Sequence, residues 1–413
     1  MGVLFVSPNW SAVSEAWIAR QIEALEPHVV AIAAWCPEQS RWRGRIPGIR
    51  LSPPAQAWWR RLAGSLGVPA KPAVAQASAV LERAIAEPRV SVVLVHYLDF
   101  AVRFQALWSR IDKPVFVHPH GYDTQWDYHR SDQPDRPYFP ADYPDTVSRL
   151  SQRVTLIANS QTVERRLLAI GVPRRRIVLQ YYGIPAPDVP PERPPRTRDV
   201  EVLYLGRLVD CKGPDLVIRA FELAAARGLN GRLTLAGDGY LRTTCELLRR
   251  RSRFADRIRL LGAVDQAAAD RLRAAADIFT AHNCRGPLTR QEESFGVSVV
   301  EAMAAGLPVV TGRSGGVCET VVSGETGFLF EPGDVEAHAT VLLQLAHDPD
   351  LRQRMGKAGH AHVREMFSCA RRGAELRRLL GLEGCPGGAA GRLAPQHHKV
   401  IYQPAQQELP QPR

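Results

Sequence analysis

Short apolar runs alternating with stretches of helical periodicity constrain this chain more than any other feature of its sequence. Residues 3–6 (VLFV), 28–33, 92–95, 115–117, 154–158 and 177–179 are too short for helices and too apolar for strands with one wet face. Between them lie segments such as 14–25, where Trp17, Ile18, Ile22 and Leu25 recur at helical spacing. Strands buried on both faces and joined by helical crossovers build parallel sheets. The series halts over residues 185–199, where Pro185, Pro187, Pro190, Pro191, Pro194 and Pro195 sit among charges without periodicity. Such a stretch reads as a stiff linker. The alternation then restarts, with strands over 200–205, 233–235, 258–261, 278–281 and 308–311 and helices over 214–226 and 240–250. The expected fold class is α/β, with two doubly wound, Rossmann-like domains facing across a cleft. Residues 1–184 form the first, 185–199 the linker, 200–382 the second with its closing helices, and 383–413 a disordered tail. Ligands bind such sheets at the carboxyl ends of their strands, which puts the expected site in the cleft.

Composition narrows the function classes. A net charge of +11 points to an anionic partner. The charge is almost all arginine; the lysines are Lys71, Lys113, Lys212, Lys357 and Lys399. Seven scattered cysteines form no C-x-x-C pair, which supports neither a disulfide framework nor a zinc site. With no basic leader and no apolar run near the ~18 residues of a membrane span, the expectation is a cytoplasmic protein. Neither G-x-G-x-x-G nor G-x-x-x-x-G-K-[ST] occurs, against a dinucleotide dehydrogenase or a P-loop NTPase. Asp348-Pro349-Asp350 reads as a loop and not a metal site, and Ser160 as a helix cap. Trp58-Trp59-Arg60-Arg61 suits either a core contact or a peripheral contact with the inner face of the membrane.

The chemistry concentrates in residues 293–308, ESFGVSVVEAMAAGLP. A polar loop ends at Glu293, Gly296 permits close backbone approach, and an apolar helix begins near Val297. Unpaired N–H groups at a helix start favour a phosphate there. Glu293 and Glu301 flank that start, and carboxylates accept hydrogen bonds from paired sugar hydroxyls. On spacing alone, incidental surface acids fit equally well.

This stretch resembles the E-x7-E signature of retaining glycosyltransferases of the GT-B fold, family GT4. Gly206-Arg207-Leu208 with Lys212-Gly213 is similar to the family's G-R-L…K-G segment, and Gly237-Asp238-Gly239 to its G-D-G turn. Gly315-Gly316-Val317-Cys318-Glu319 and residues 324–329 are similar to its closing segments. In the first half, His120-Gly121-Tyr122-Asp123 is similar to its H-G-x-D turn. The resemblance covers roughly residues 90–365. It implies a metal-independent enzyme without a cofactor, whose donor substrate is a nucleotide-diphosphate sugar bound by residues 200–382, with residues 1–184 on the acceptor side. It implies His120 and Glu293 as catalytic groups against the transferred sugar. Arg207 and Lys212 would lie on the diphosphate, Gly296 and Val297 at the helix start, and Glu301 on the ribose. The implied acceptor is a glycan or lipid-linked saccharide, and no nucleic acid is expected. An epimerase of nucleotide sugars on the same fold and a non-catalytic basic binding protein remain as alternatives. The family's Gly-Gly loop near Ser14-Glu15 is missing. Cys211, beside Lys212 and Arg207, is expected either as a reactive thiolate or as a small buried residue.

Overall fold

The structure, a computed structural model, describes residues 1–8, 15–35, 44–51, 71–189 and 199–383. Ser14, the Trp58–Arg61 run, most of the proline stretch and the tail after residue 383 lie outside the described residues.

Two parallel sheets carry the fold. The first has the strand order β3-β2-β1-β4-β5-β8-β9, from β1 (Gly2–Val6), β2 (Val29–Ala34), β3 (Gly48–Arg50), β4 (Val90–His96), β5 (Val115–His118), β8 (Thr155–Ala158) and β9 (Ile177–Leu179). The second has the order β12-β11-β10-β13-β14-β15, from β10 (Val200–Leu205), β11 (Gly231–Ala236), β12 (Ile258–Gly262), β13 (Ile278–Thr280), β14 (Val309–Gly312) and β15 (Gly327–Phe330). In each sheet the order reverses beside a central strand, β1 in the first and β10 in the second. Every residue of β1 is buried, as its unbroken apolar run requires when helices cover both faces.

The two cores are separate. Phe5, Phe104 and Trp108 fill the first, and Tyr204, Phe221, Phe279, Phe295 and Phe367 the second. The last helix among the described residues, Cys369–Leu379, crosses back and packs on the helix Ala16–Leu25. Leu376, Leu380 and Leu382 enter the first core, and Arg377 Nη1 donates to the Ala24 carbonyl at 2.9 Å. The first core thus draws on residues from both sides of the 1–184 boundary.

An antiparallel hairpin, β6 (His129–Arg130) and β7 (Gln133–Pro137), follows β5 and has no counterpart in the sequence reading. Asp348-Pro349-Asp350 corrects that reading. Asp348 caps the helix Pro349–Phe367, accepting from the Leu351 N–H at 2.8 Å, and proline stands in the first turn, where its missing N–H costs nothing. Ser160 caps the helix Gln161–Ala169 through the Val163 N–H at 3.1 Å. No helix among the described residues is long and apolar enough to cross a membrane.

Candidate functional site

A cavity of about 530 Å³ lies between the two sheets, lined by residues of both. Arg207, Lys212, Gly237, Glu293, Val297 and Glu301 come from the second sheet's loops and helices; Trp17, His120 and Tyr182 face them from the first unit. Segments far apart in the chain therefore meet at one place.

An ion pair forms part of the cavity wall. Lys212 Nζ lies 2.7 Å from Glu293 Oε2, both side chains 14% exposed. Burial alone would raise the Glu293 carboxyl, but the Lys212 ammonium, its hydrogen bond and the nearby Arg207 outweigh it, and the pKa falls to about 2. Arg207 is exposed. Gly296, with φ 87°, caps the helix Val297–Ala304 in a left-handed conformation that a side chain would strain. Val297 and Ser298 at that helix start line the cavity.

Neighbouring backbone holds Glu293 in place. The Gly316 N–H donates to the Glu293 carbonyl at 2.8 Å. A Cβ on Gly316 would sit 1.9 Å from the Ser294 carbonyl oxygen, so the second glycine of that pair is needed for direct backbone contact. Asp210, 5% exposed, ties the Lys212 loop to the loop before Glu293. Its carboxylate accepts from the backbone N–H groups of Leu288 and Thr289 at 2.8 Å each, and from the Thr289 hydroxyl at 2.7 Å. Asp210 was not singled out in the sequence, because an acid near a strand end has no signature there.

Glu301 is also occupied by cations. It pairs with Arg20, from the helix Ala16–Leu25 of the opposite unit, and accepts from Arg273 Nη1 at 3.2 Å. Its carboxylate therefore joins the two units across the cleft.

The His120 turn is built around a buried acid. Asp123, fully buried, accepts from the N–H groups of Leu98 at 2.8 Å and of His120 and Gly121 at 2.9 Å. That explains the spacing of His120-Gly121-Tyr122-Asp123: the aspartate closes the turn that presents the histidine. Both ring nitrogens of His120 have partners. Tyr182 Oη lies 2.6 Å and Trp17 Nε1 3.0 Å from Nδ1, while Nε2 meets His96 Nδ1 at 2.8 Å. The indole N–H can only donate, so Nδ1 accepts, and Nε2 carries the proton toward His96. Burial, together with the neighbouring His118 and His96, holds His120 well below the usual histidine range. One Nδ1 lone pair faces two donors. Trp17 and Tyr182 escaped the sequence reading, since an aromatic at helical spacing and one beside a strand both read as core.

Cys211 resolves the alternatives left by the sequence. It is 2% exposed with its thiol 3.6 Å from Gln291 Oε1. Burial pushes the thiol up to about 12 despite Lys212 and Arg207, so the reactive-thiolate expectation is corrected. Among the described residues, no group of three or more His, Cys, Asp or Glu side chains is placed to hold a metal ion.

Comparison with known proteins agrees with this geometry. The family of glycosyl transferases group 1 matches residues 188–362, and a glycosyl transferase 4-like domain matches residues 12–183. A GDP-mannose-dependent monoacylated alpha-(1-6)-phosphatidylinositol monomannoside mannosyltransferase of Corynebacterium glutamicum is 35% identical over 43% of this chain and 46% of its own length. A glycogen synthase of Mycobacterium tuberculosis is 32% identical over 42% of this chain and 41% of its own. The chain thus spans less than half the length of these curated relatives. Among solved structures, Anabaena HepE in complex with UDP-glucose superposes with a TM-score of 0.70 at 20% identity, over 92% of this chain and 99% of that one. The lipopolysaccharide outer core galactosyltransferase WaaB superposes with a TM-score of 0.67 at 14% identity, over 92% and 98%. At these identities the likeness is one of fold, and the fold is GT-B. Two family matches that together take in both sheets, with the ordered motifs converging on one cleft, show that this chain belongs to the GT4 family of glycosyltransferases.

Proposed function

We propose that the chain transfers a hexosyl group, with retention, from a nucleotide-diphosphate sugar to a saccharide or lipid-linked saccharide acceptor in the cleft between the sheets. The observation that carries this reading is the Lys212–Glu293 pair beside Arg207 at the start of the helix Val297–Ala304. In transfer, the bond from the anomeric carbon to the diphosphate oxygen breaks and its electron pair stays with the diphosphate. The acceptor hydroxyl oxygen bonds to that carbon and gives up its proton to the departing diphosphate oxygen. Charge therefore grows on the leaving diphosphate, where Lys212, Arg207 and the helix N–H groups stabilise it. Glu293, held ionised by Lys212, accepts from hydroxyls of the transferred sugar, and Glu301 from the ribose. His120 faces the sugar within a neutral aromatic cluster. Because Trp17 and Tyr182 share one Nδ1 lone pair, one of them can turn to a sugar hydroxyl without leaving the imidazole unpaired.

A thermal-shift screen of nucleotide sugars tests the donor. The matching donor, at a hundredfold its Kd, should stabilise the chain by about 2.7 kcal/mol. If no nucleotide sugar or nucleoside diphosphate stabilises it, the donor reading fails.

With two side-chain cations assigned to the diphosphate, turnover should need no divalent ion. Added chelator should leave the rate within about twofold, far short of the tenfold that about 1.4 kcal/mol represents. A large loss restored by magnesium or manganese would contradict this.

A further inference from the structure

A second cavity between the two units, about 310 Å³ in volume, adjoins the donor cavity and shares Glu292 with it. Thr124 and Gln125, which continue the His120–Asp123 turn, line it from one side, so it lies next to the end of the donor cavity that holds His120 and Glu293. Its charged lining is three guanidinium groups, Arg166, Arg285 and Arg290, against two carboxylates, Asp127 and Glu292.

Those cations are only partly neutralised. Arg285 pairs with Asp127, but both side chains are about half exposed, and such a bridge is worth no more than about 1 kcal/mol. Arg166 lies 2.5 Å from Glu292, yet its Nη1 is buried without a hydrogen-bond partner. Arg290 is exposed and joins no ion pair among the described residues. Its backbone supplies a separate observation. Arg290 has φ 58°, a left-handed conformation that residues with side chains seldom adopt. Its N–H is fixed to the Gly286 carbonyl at 2.8 Å, and the Asp210 carboxylate holds the same loop through Leu288 and Thr289. Backbone strain kept in place by a buried anchor gathers at ligand sites. The donor diphosphate does not need these arginines, since Lys212, Arg207 and the helix start already serve it.

We infer that this second cavity binds a phosphate group carried by the acceptor, with Arg290 and Arg285 as its cations. Guanidinium forks match phosphate oxygens in pairs, and the chain's net charge of +11 favours an anionic acceptor. The inference deepens the proposed function and rests on the cleft being a transfer site.

The test is calorimetric titration of inorganic phosphate into the full chain, saturated with whichever of UDP or GDP stabilises it more. Phosphate should bind this loaded form. Arg290→Ala should weaken phosphate at least tenfold while leaving nucleotide affinity within about twofold, since each tenfold step is about 1.4 kcal/mol. Arg290→Lys should restore part of the loss. If neither nucleotide binds, the donor reading has failed; the phosphate titration is then run on the free chain, and its dependence on Arg290 still decides the inference. Phosphate binding that is absent, equal in the Arg290→Ala variant, or displaced by the nucleotide would overturn it. Flotation with vesicles containing phosphatidic acid separates the sources. Arg290-dependent flotation assigns a lipid-borne phosphate, and its absence alongside Arg290-dependent phosphate binding assigns a soluble one.

Discussion

Lys212→Met is expected to cost the chain both turnover and stability. Glu293 would remain buried with its ammonium partner gone, and breaking a buried pair from one side costs about 3–5 kcal/mol. The same change removes a cation proposed for the leaving diphosphate, so donor breakdown should fall at least 100-fold, about 2.7 kcal/mol. The pH dependence of stability separates the two effects. In the wild type the Glu293 carboxyl is lowered from 4.5 to about 2. A depressed carboxyl stabilises the fold above its unfolded pKa and loses that contribution as pH falls through the folded one. The wild type should therefore lose on the order of 3 kcal/mol between about pH 4.5 and pH 2 from this group. In Lys212→Met, burial is opposed only by Arg207 and the Gly296 backbone hydrogen bond, and that step should shrink or vanish. Urea melts across this range measure it. A variant with wild-type acid sensitivity would mean that Lys212 does not hold the glutamate ionised.

Glu293→Gln and Glu301→Gln should divide sugar from nucleotide. Glu293→Gln keeps the shape but loses the charge and half the acceptor capacity aimed at the transferred sugar. Turnover should drop about 100-fold or more, while the Kd for free nucleoside diphosphate moves less than about threefold. Glu301→Gln should weaken the nucleotide about tenfold, roughly 1.4 kcal/mol. It should also loosen the junction between the units, because Arg20 and Arg273 both end on that carboxylate. Titration of both variants with nucleoside diphosphate, beside donor turnover, reads the split. An equal loss of nucleotide binding in the two would dissolve the division of roles.

Much of this site could be read from the sequence because its motifs record backbone necessities. Gly296 must take a positive φ, Gly315-Gly316 must touch the Glu293–Ser294 backbone, and Asp123 must reach back to the His120 and Gly121 N–H groups. Each needs a particular residue type at a fixed offset. The strands were legible for a related reason: burial on both faces leaves an unbroken apolar run. The missed features depend on partners distant in sequence. Arg20 meets Glu301 281 positions away, Trp17 meets His120 across 103, and Asp210 reaches Thr289 across 79. No local pattern marks such pairs. Cys211 was ambiguous because two opposing effects act on it, and only its depth showed that desolvation outweighs the adjacent cations. The hairpin His129–Arg130 with Gln133–Pro137 is too short and too exposed to leave an apolar signature.

On the proposed function, the cleft breaks the bond between a sugar and a nucleoside diphosphate and keeps the configuration at the anomeric carbon. The most direct measurement follows the stabilising donor by NMR with water as the acceptor, in the wild type and in Glu293→Gln. The wild type should slowly release nucleoside diphosphate and free sugar in equal amounts, the sugar appearing first in the donor's own anomeric configuration, and the variant should give neither product. An altered sugar still attached to its nucleotide, an inverted anomer, or a bound donor that stays intact would contradict it.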